Sequence, residues 1–338
     1  MNYKVLALAT TFLVTLSLPA ADDLAGAPFS LRFPAAFSHF SPFGDVAAKG
    51  GASGASPYGS SSNLAGIAWG SGAKDFDYLG SINYNYLAFG SGTDLHIATE
   101  TIAFDLGDAG TVRLALIQFQ SNTATIRSAP LTYDFDLFGT RLDWSRRFGA
   151  YGIGVGMGFT QAETLFRNAT ALVSDTTKDN WTFRLAGQRQ LGKRWLIGLM
   201  ADYGTGSSHG TRQPPIGAPQ TFTSDSSQWI LQTGLAFIIN PKAVAHLDYQ
   251  LGWFSDHQSH LTMHRWSLGT DIPLSTKWQL RVGATIDHIG NAGWTTGLVF
   301  FPIKGTSLNL AYQRGTFPEL AQEFGQSQML TASVSVKW

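Results

Sequence analysis

Cysteine is missing from all 338 residues, which excludes disulfides, thiolate metal sites and lipidation of an N-terminal cysteine. Charge is scarce: Asp, Glu, Lys and Arg make up 14% of the chain, against roughly 25% in a soluble globular protein. Net charge is lacking too, because 23 basic residues meet 23 acidic ones, so there is no basic excess to hold nucleic acid. Beyond the first twenty or so residues no apolar run reaches the length of a spanning helix; if the rest of the chain enters a membrane, it must do so as strands. Cofactor fingerprints are lacking as well. The Gly-rich stretches "GSGTD" and "GTGSSHG" open no helix and follow no parallel strand, as a phosphate cradle would require, and no cofactor is expected.

Aromatics (13%) and glycine (37 residues) are plentiful, a combination that favours strands and tight turns. Residues 1–21 have the form of a cleaved export signal: Lys4 before an apolar run from Val5 to Leu18, then small residues that place the cut after Ala20 or Ala21. Residues 22–74 follow no clean period and are rich in Gly, Ala, Ser, Pro and Phe. Phe29, Phe33, Phe37, Phe40, Phe43, Tyr58 and Trp69 are costly to leave in water, so this segment is expected to pack against the larger unit, residues 75–338.

That unit alternates with period two, apolar against polar, to its last residue. The pattern predicts fourteen strands, at about 76–88, 94–106, 111–121, 135–147, 150–162, 180–191, 193–205, 227–239, 242–254, 261–272, 276–288, 292–301, 305–314 and 327–338. Most hold about the 9 to 11 residues that a tilted strand needs to cross a bilayer. Tight turns follow the even strands, whereas longer polar connections, at 122–134, 163–179, 206–226 and 315–326, follow most odd ones. That segregation suits a transmembrane antiparallel β-barrel with periplasmic turns at one rim and extracellular loops at the other. The tryptophans agree: Trp144, Trp195, Trp278 and Trp338 fall at one set of strand ends and Trp181, Trp229, Trp253 and Trp294 at the other, as two interfacial girdles would.

Alternation also sorts the faces. Rows such as Trp181, Phe183, Leu185 and Trp195, Ile197, Leu199 are expected to face lipid. The opposite rows carry the candidate lumen-lining residues Arg141, Asp143, Arg184, Asp202, His246, Asp248, Arg265, Asp271, Arg281 and Asp287. Their mixed signs argue against strong ion selectivity and fit cross-strand pairing in a polar interior. Residues 152, 154, 156 and 158 are all glycine on one inward row. Such a stripe either lets another segment lie against the wall or permits strong curvature.

The stretch "GGASGASPYGSSSNLAGIAW", with Asn63, Leu64, Ala65 and Gly66 where a family motif has Asn-Pro-Ala-Gly, together with the fourteen-strand pattern, resembles the FadL/TodX transporters of Gram-negative outer membranes. PorV-type barrels share that N-terminal pattern. Leu64 stands where the family has proline. The resemblance implies an outer-membrane location, an N-terminal plug in the lumen, and passive uptake of hydrophobic solutes such as long-chain fatty acids or aromatic hydrocarbons. It also implies contact with outer-membrane lipid and lipopolysaccharide. Trp338, ending an amphipathic strand, looks like the signal read by the barrel assembly machinery. A scaffold for a secretion or surface-attachment machine and a general polar-solute porin remain as alternatives.

No enzyme is expected. His257, His260 and His264 span a loop and strand start without convergent spacing or a following carboxylate, and His264 and Ser267 fall on opposite faces, which separates that pair as a dyad.

Overall fold

In the computed structural model one antiparallel ladder runs through β1 (Tyr78–Phe89), β2 (Asp94–Asp105), β3 (Thr111–Ser121), β4 (Thr132–Phe148), β5 (Tyr151–Arg167), β6 (Leu172–Leu191) and β7 (Trp195–Arg212). It continues through β8 (Gln220–Asn240), β9 (Ala243–Asp256), β10 (His260–Pro273), β11 (Trp278–Asp287), β12 (Ala292–Phe300), β13 (Thr306–Arg314) and β14 (Ser327–Lys337). β14 pairs with β1 from Leu79↔Lys337 to Phe89↔Ser327, which closes the sheet into a barrel of fourteen strands. A two-residue strand, Ala124–Thr125, pairs with the start of β4 as a minor addition. Two helices precede the wall, α1 (Phe29–Phe37) and α2 (Leu64–Ser71). The structure describes Ala27, residues 29–38, Lys49, Ala55, and residues 64–71, 78–126, 131–168, 171–214, 217–240 and 243–337. The export signal at 1–21, Phe40, Phe43, Tyr58, Asn63, the Trp69 side chain and Trp338 lie outside the described residues.

Each expected strand has its counterpart. Exposure alternates along the wall: Ile82, Leu185, Leu199 and Leu310 are about 60% exposed, whereas the residues between them are mostly buried. A closed wall with an apolar outer row and a polar inner row is a membrane barrel, because lipid then meets only apolar side chains and every ladder hydrogen bond is made within the wall. Trp181, Trp229, Trp253 and Trp294 are exposed toward the long-connection rim, and Trp195 and Trp278 toward the opposite one. Tyr249 shares the outward parity of Leu247 and Trp253 yet is buried, its ring 4.7 Å from Trp266 and its hydroxyl 2.7 Å from His264 Nδ1.

Two connections differ from expectation. Most of 163–179 and 206–226 is wall rather than loop, because β5, β6, β7 and β8 extend to Arg167, Leu172, Arg212 and Gln220. Pairs such as Thr176↔Gly210 and Thr211↔Thr221 carry the ladder outward. Above a bilayer both faces are wet, so the Thr- and Ser-rich sequence loses its apolar alternation while keeping its capacity to form strands. β8 alone holds 21 residues, about twice what a bilayer requires, so one side of the barrel stands well above the membrane.

The expected lipid face yields a direct test. Leu185→Arg sets a cation at mid-height on the outer row and should destabilise the barrel by about 2–4 kcal/mol, read as a shift of the urea midpoint in lipid vesicles; an unchanged midpoint would count against a lipid-facing Leu185.

Candidate functional site

All ten candidate lumen residues lie on the inward rows, and the structure gathers them into groups. Arg113 and Asp143 are register partners on β3 and β4, and the guanidinium donates to Asp143 Oδ2 at 2.6 and 2.9 Å. Arg141 Nε donates to the same oxygen at 3.0 Å, and Arg184 meets Asp202 at 3.0 Å across β6 and β7. On the far wall Asp271 receives Arg281 Nε at 2.8 Å, with His246 Nε2 at 3.3 Å and Lys49 Nζ at 3.9 Å. Gln232 donates to Asp248 at 2.8 Å. Asp287 serves the β11–β12 turn, accepting from the Ile289 and Asn291 amides and from Asn291 Nδ2.

Several of these groups also grip the chain before β1. His246 Nδ1 lies 3.1 Å from the Ala55 carbonyl, and Gln250 Nε2 donates to the Ser38 carbonyl at 3.2 Å. Arg32 on α1 binds Glu323 and Gln322 in the β13–β14 connection, and Arg265 on β10 binds Glu319 in the same connection. Burial pushes the Glu319 carboxyl above the ordinary glutamate range, opposed by the pull of Arg265.

The glycine stripe resolves in favour of close approach at one point. A Cβ on Gly154 would lie 2.6 Å from Leu64 Cβ and 2.8 Å from the Ala65 nitrogen, so Leu64 and Ala65 rest directly on the wall there. At Gly156 a Cβ would sit 2.3 Å from Asp143 Oδ1, so that glycine makes room for the carboxylate. Arg32, Lys49, Arg113, Glu319 and Glu323 were not among the residues expected here. Arg113 was readable from its inward parity on β3; the others sit in stretches without a period, where no pattern tells a side chain which way to point.

Apolar contacts complete the interior. Ala27, Leu31 and Ala35 pack with Ile230, Phe254, Leu261 and Met263. Ala55 meets Leu196, Ala236 and Val244, and Leu64, Ala65 and Ile67 meet Ala186 and Met200. Toward the long-connection rim lies an aromatic cluster: Phe33 to Phe135 at 4.8 Å, Phe37 to Phe317 at 5.2 Å, Phe29 to Tyr133 at 5.6 Å and to Phe324 at 5.9 Å. Pairs of this kind contribute about 0.5–1.5 kcal/mol each beyond their buried area. Arg32, which pairs with Glu323, is carried by the same helix as Phe29, Phe33 and Phe37.

This is the arrangement of a transmembrane β-barrel: a closed wall, polar inner rows and an apolar cluster toward the long-connection rim. Solved structures share the fold. The toluene transporter TodX of Pseudomonas putida superposes with a TM-score of 0.59 at 13% identity, over 88% of this chain and 97% of that one. A FadL homologue of Pseudomonas aeruginosa gives 0.60 at 10% identity, over 87% and 98%, and the monoaromatic hydrocarbon channel CymD gives 0.57 at 10%, over 87% and 97%. No protein-family model matches the sequence, and no curated protein matches it.

Two substitutions test the interior. Gly154→Val should lift Leu64 and Ala65 from the wall, so cleavage before residue 78 by added protease should accelerate severalfold while the barrel keeps its compact gel mobility. Asp143→Ala would leave Arg113 and Arg141 buried without their shared carboxylate, a loss of about 3–5 kcal/mol, measurable as a lower unfolding midpoint.

Proposed function

We propose that the protein is an outer-membrane channel for passive uptake of small hydrophobic solutes, of the class of long-chain fatty acids or aromatic hydrocarbons, with residues 22–74 acting as a plug in the lumen. The observation that carries this reading is the aromatic cluster toward the outer mouth, built jointly by α1, the wall and the β13–β14 connection. An apolar solute arriving there exchanges one set of ring contacts for another at little cost in desolvation. Deeper in the wall Asp271 and His246 reach the chain before β1 through Lys49 and Ala55, and the mixed signs of the described ion pairs give the lumen no single predominating charge. Capture at the rim, displacement of the ring contacts and diffusion down the gradient complete the mechanism, without energy coupling. Export with cleavage after Ala20 or Ala21, delivery to the assembly machinery through Trp338, and a surround of outer-membrane lipid and lipopolysaccharide belong to the same proposal. The likeness to TodX, CymD and the FadL homologue supports it at the level of fold.

Uptake of labelled oleate and toluene by cells with and without the gene tests the proposal, and faster uptake with the gene is expected. Unchanged uptake together with a stable co-purifying secretion partner would favour a scaffold. Bilayer recordings of the intact chain should show little steady conductance, and deletion of residues 22–70 should raise it. A large steady conductance from the intact chain would mean a porin, and no rise on deletion would remove the plug.

A further inference from the structure

One charged side chain stands where the wall has no use for it. Glu100 is exposed on the outward row of β2, opposite Ile82 on β1 and Leu116 on β3. It lies four residues from His96, whose ring meets the Tyr84 hydroxyl toward the upper boundary, and four from Phe104 toward the lower. That places the carboxyl at mid-height of the apolar band, where a group with no hydrogen-bond partner is strongly disfavoured in lipid. Among the described residues no other charged side chain faces outward at this height.

Three further features coincide with it. A groove of about 350 Å³ opens on the outer surface beside Glu100, lined by Ile82, Ile102, Leu114 and Val336 over the gap left by Gly80. The outward row is thin here, with Ala98 on β2 and Ala332 on β14 exposed. The tryptophan girdle is also interrupted. At the long-connection rim tryptophans stand on β6, β8, β9 and β12, whereas no described residue of β13, β14, β1, β2 and β3 at that rim is a tryptophan; Trp338 follows the end of β14 that lies at the opposite rim. Indole marks the wall's contact with headgroups, and small residues let membrane-embedded surfaces approach closely. An acyl chain could fill the groove but would leave the carboxyl without a partner.

We infer that the β14–β1–β2–β3 arc is a self-association surface, on which a second copy of this chain packs about a two-fold axis parallel to the membrane normal. Such an axis preserves height, so the same patch serves both copies and residues beside the axis meet their own counterparts. With the axis passing beside Glu100, the carboxyl meets its own copy, and the two carboxyl groups become each other's hydrogen-bond partners. The carboxyl that is ill-suited to lipid is self-complementary in this arrangement. Gly80 and Ala98 keep the two walls close enough for the pair to form.

The absence of cysteine makes the test clean. Ile82→Cys and Ala98→Cys, each as the single thiol of the chain, should yield a disulfide-linked species of twice the chain mass on oxidation in native outer membranes. Leu199→Cys on β7 should yield at least tenfold less. Adding Glu100→Leu to Ala98→Cys should reduce the linked fraction severalfold while heat-modifiable gel mobility shows an intact barrel, and Glu100→Gln, itself a donor and acceptor, should restore most of it. Equal linkage at Ala98 and Leu199, no linkage at either arc position, linkage to a species of another mass, or indifference to Glu100→Leu would each overturn the inference.

Discussion

The seam between β1 and β14 is the contact on which the rest depends. A strand in lipid cannot turn to water for its amide hydrogen bonds, so an open sheet there would leave a whole edge without partners. Pairing the first strand with the last, eleven residues in register from Leu79↔Lys337 to Phe89↔Ser327, removes that edge. Once the ring is closed the side chains have only two directions to take. The sequence alternation fixes which of them meets lipid.

Closure also encloses a space that fourteen inward rows do not fill unaided. Described residues ahead of β1 touch those rows: Leu31 packs with Phe254 and Met263, Ala55 with Leu196 and Val244, and Leu64 with Met200. Polar atoms obey the same logic. His246 and Gln250 use one side chain each to hold a backbone carbonyl of the preceding segment, and Asp271 collects Arg281, His246 and Lys49 from three places in the sequence. Gly154 is the counterpart on the wall, a position emptied of its side chain so that Leu64 and Ala65 can lie flat against it.

The wall was legible in the sequence because a period of two needs no knowledge of distant contacts. The strand count, the two faces and the inward placement of Arg141, Arg184 and Asp271 all follow from alternation. What alternation hides are the partners. That Arg184 would meet Asp202 depends on the register of β6 against β7, and that Arg265 would reach Glu319 depends on how the β13–β14 connection folds back. The full heights of β5 to β8 are not legible in the sequence, because polar strands above a bilayer carry no amphipathic signature. Arg32 lay in a segment without a period, and only its ion pair with Glu323 reveals its direction.

The pairing of charges inside the wall has an electrical side. A potential across a membrane does work on a protein only through charge that is displaced along the field. Arg184 with Asp202 and Arg281 with Asp271 are held within 3.0 Å and travel as neutral pairs, whereas Arg113 and Arg141 share the one carboxylate of Asp143 and keep a net positive charge. Displacing the two neutral pairs along the field would move no net charge, so among these groups the Arg113–Arg141–Asp143 cluster alone could couple a rearrangement of the wall to voltage.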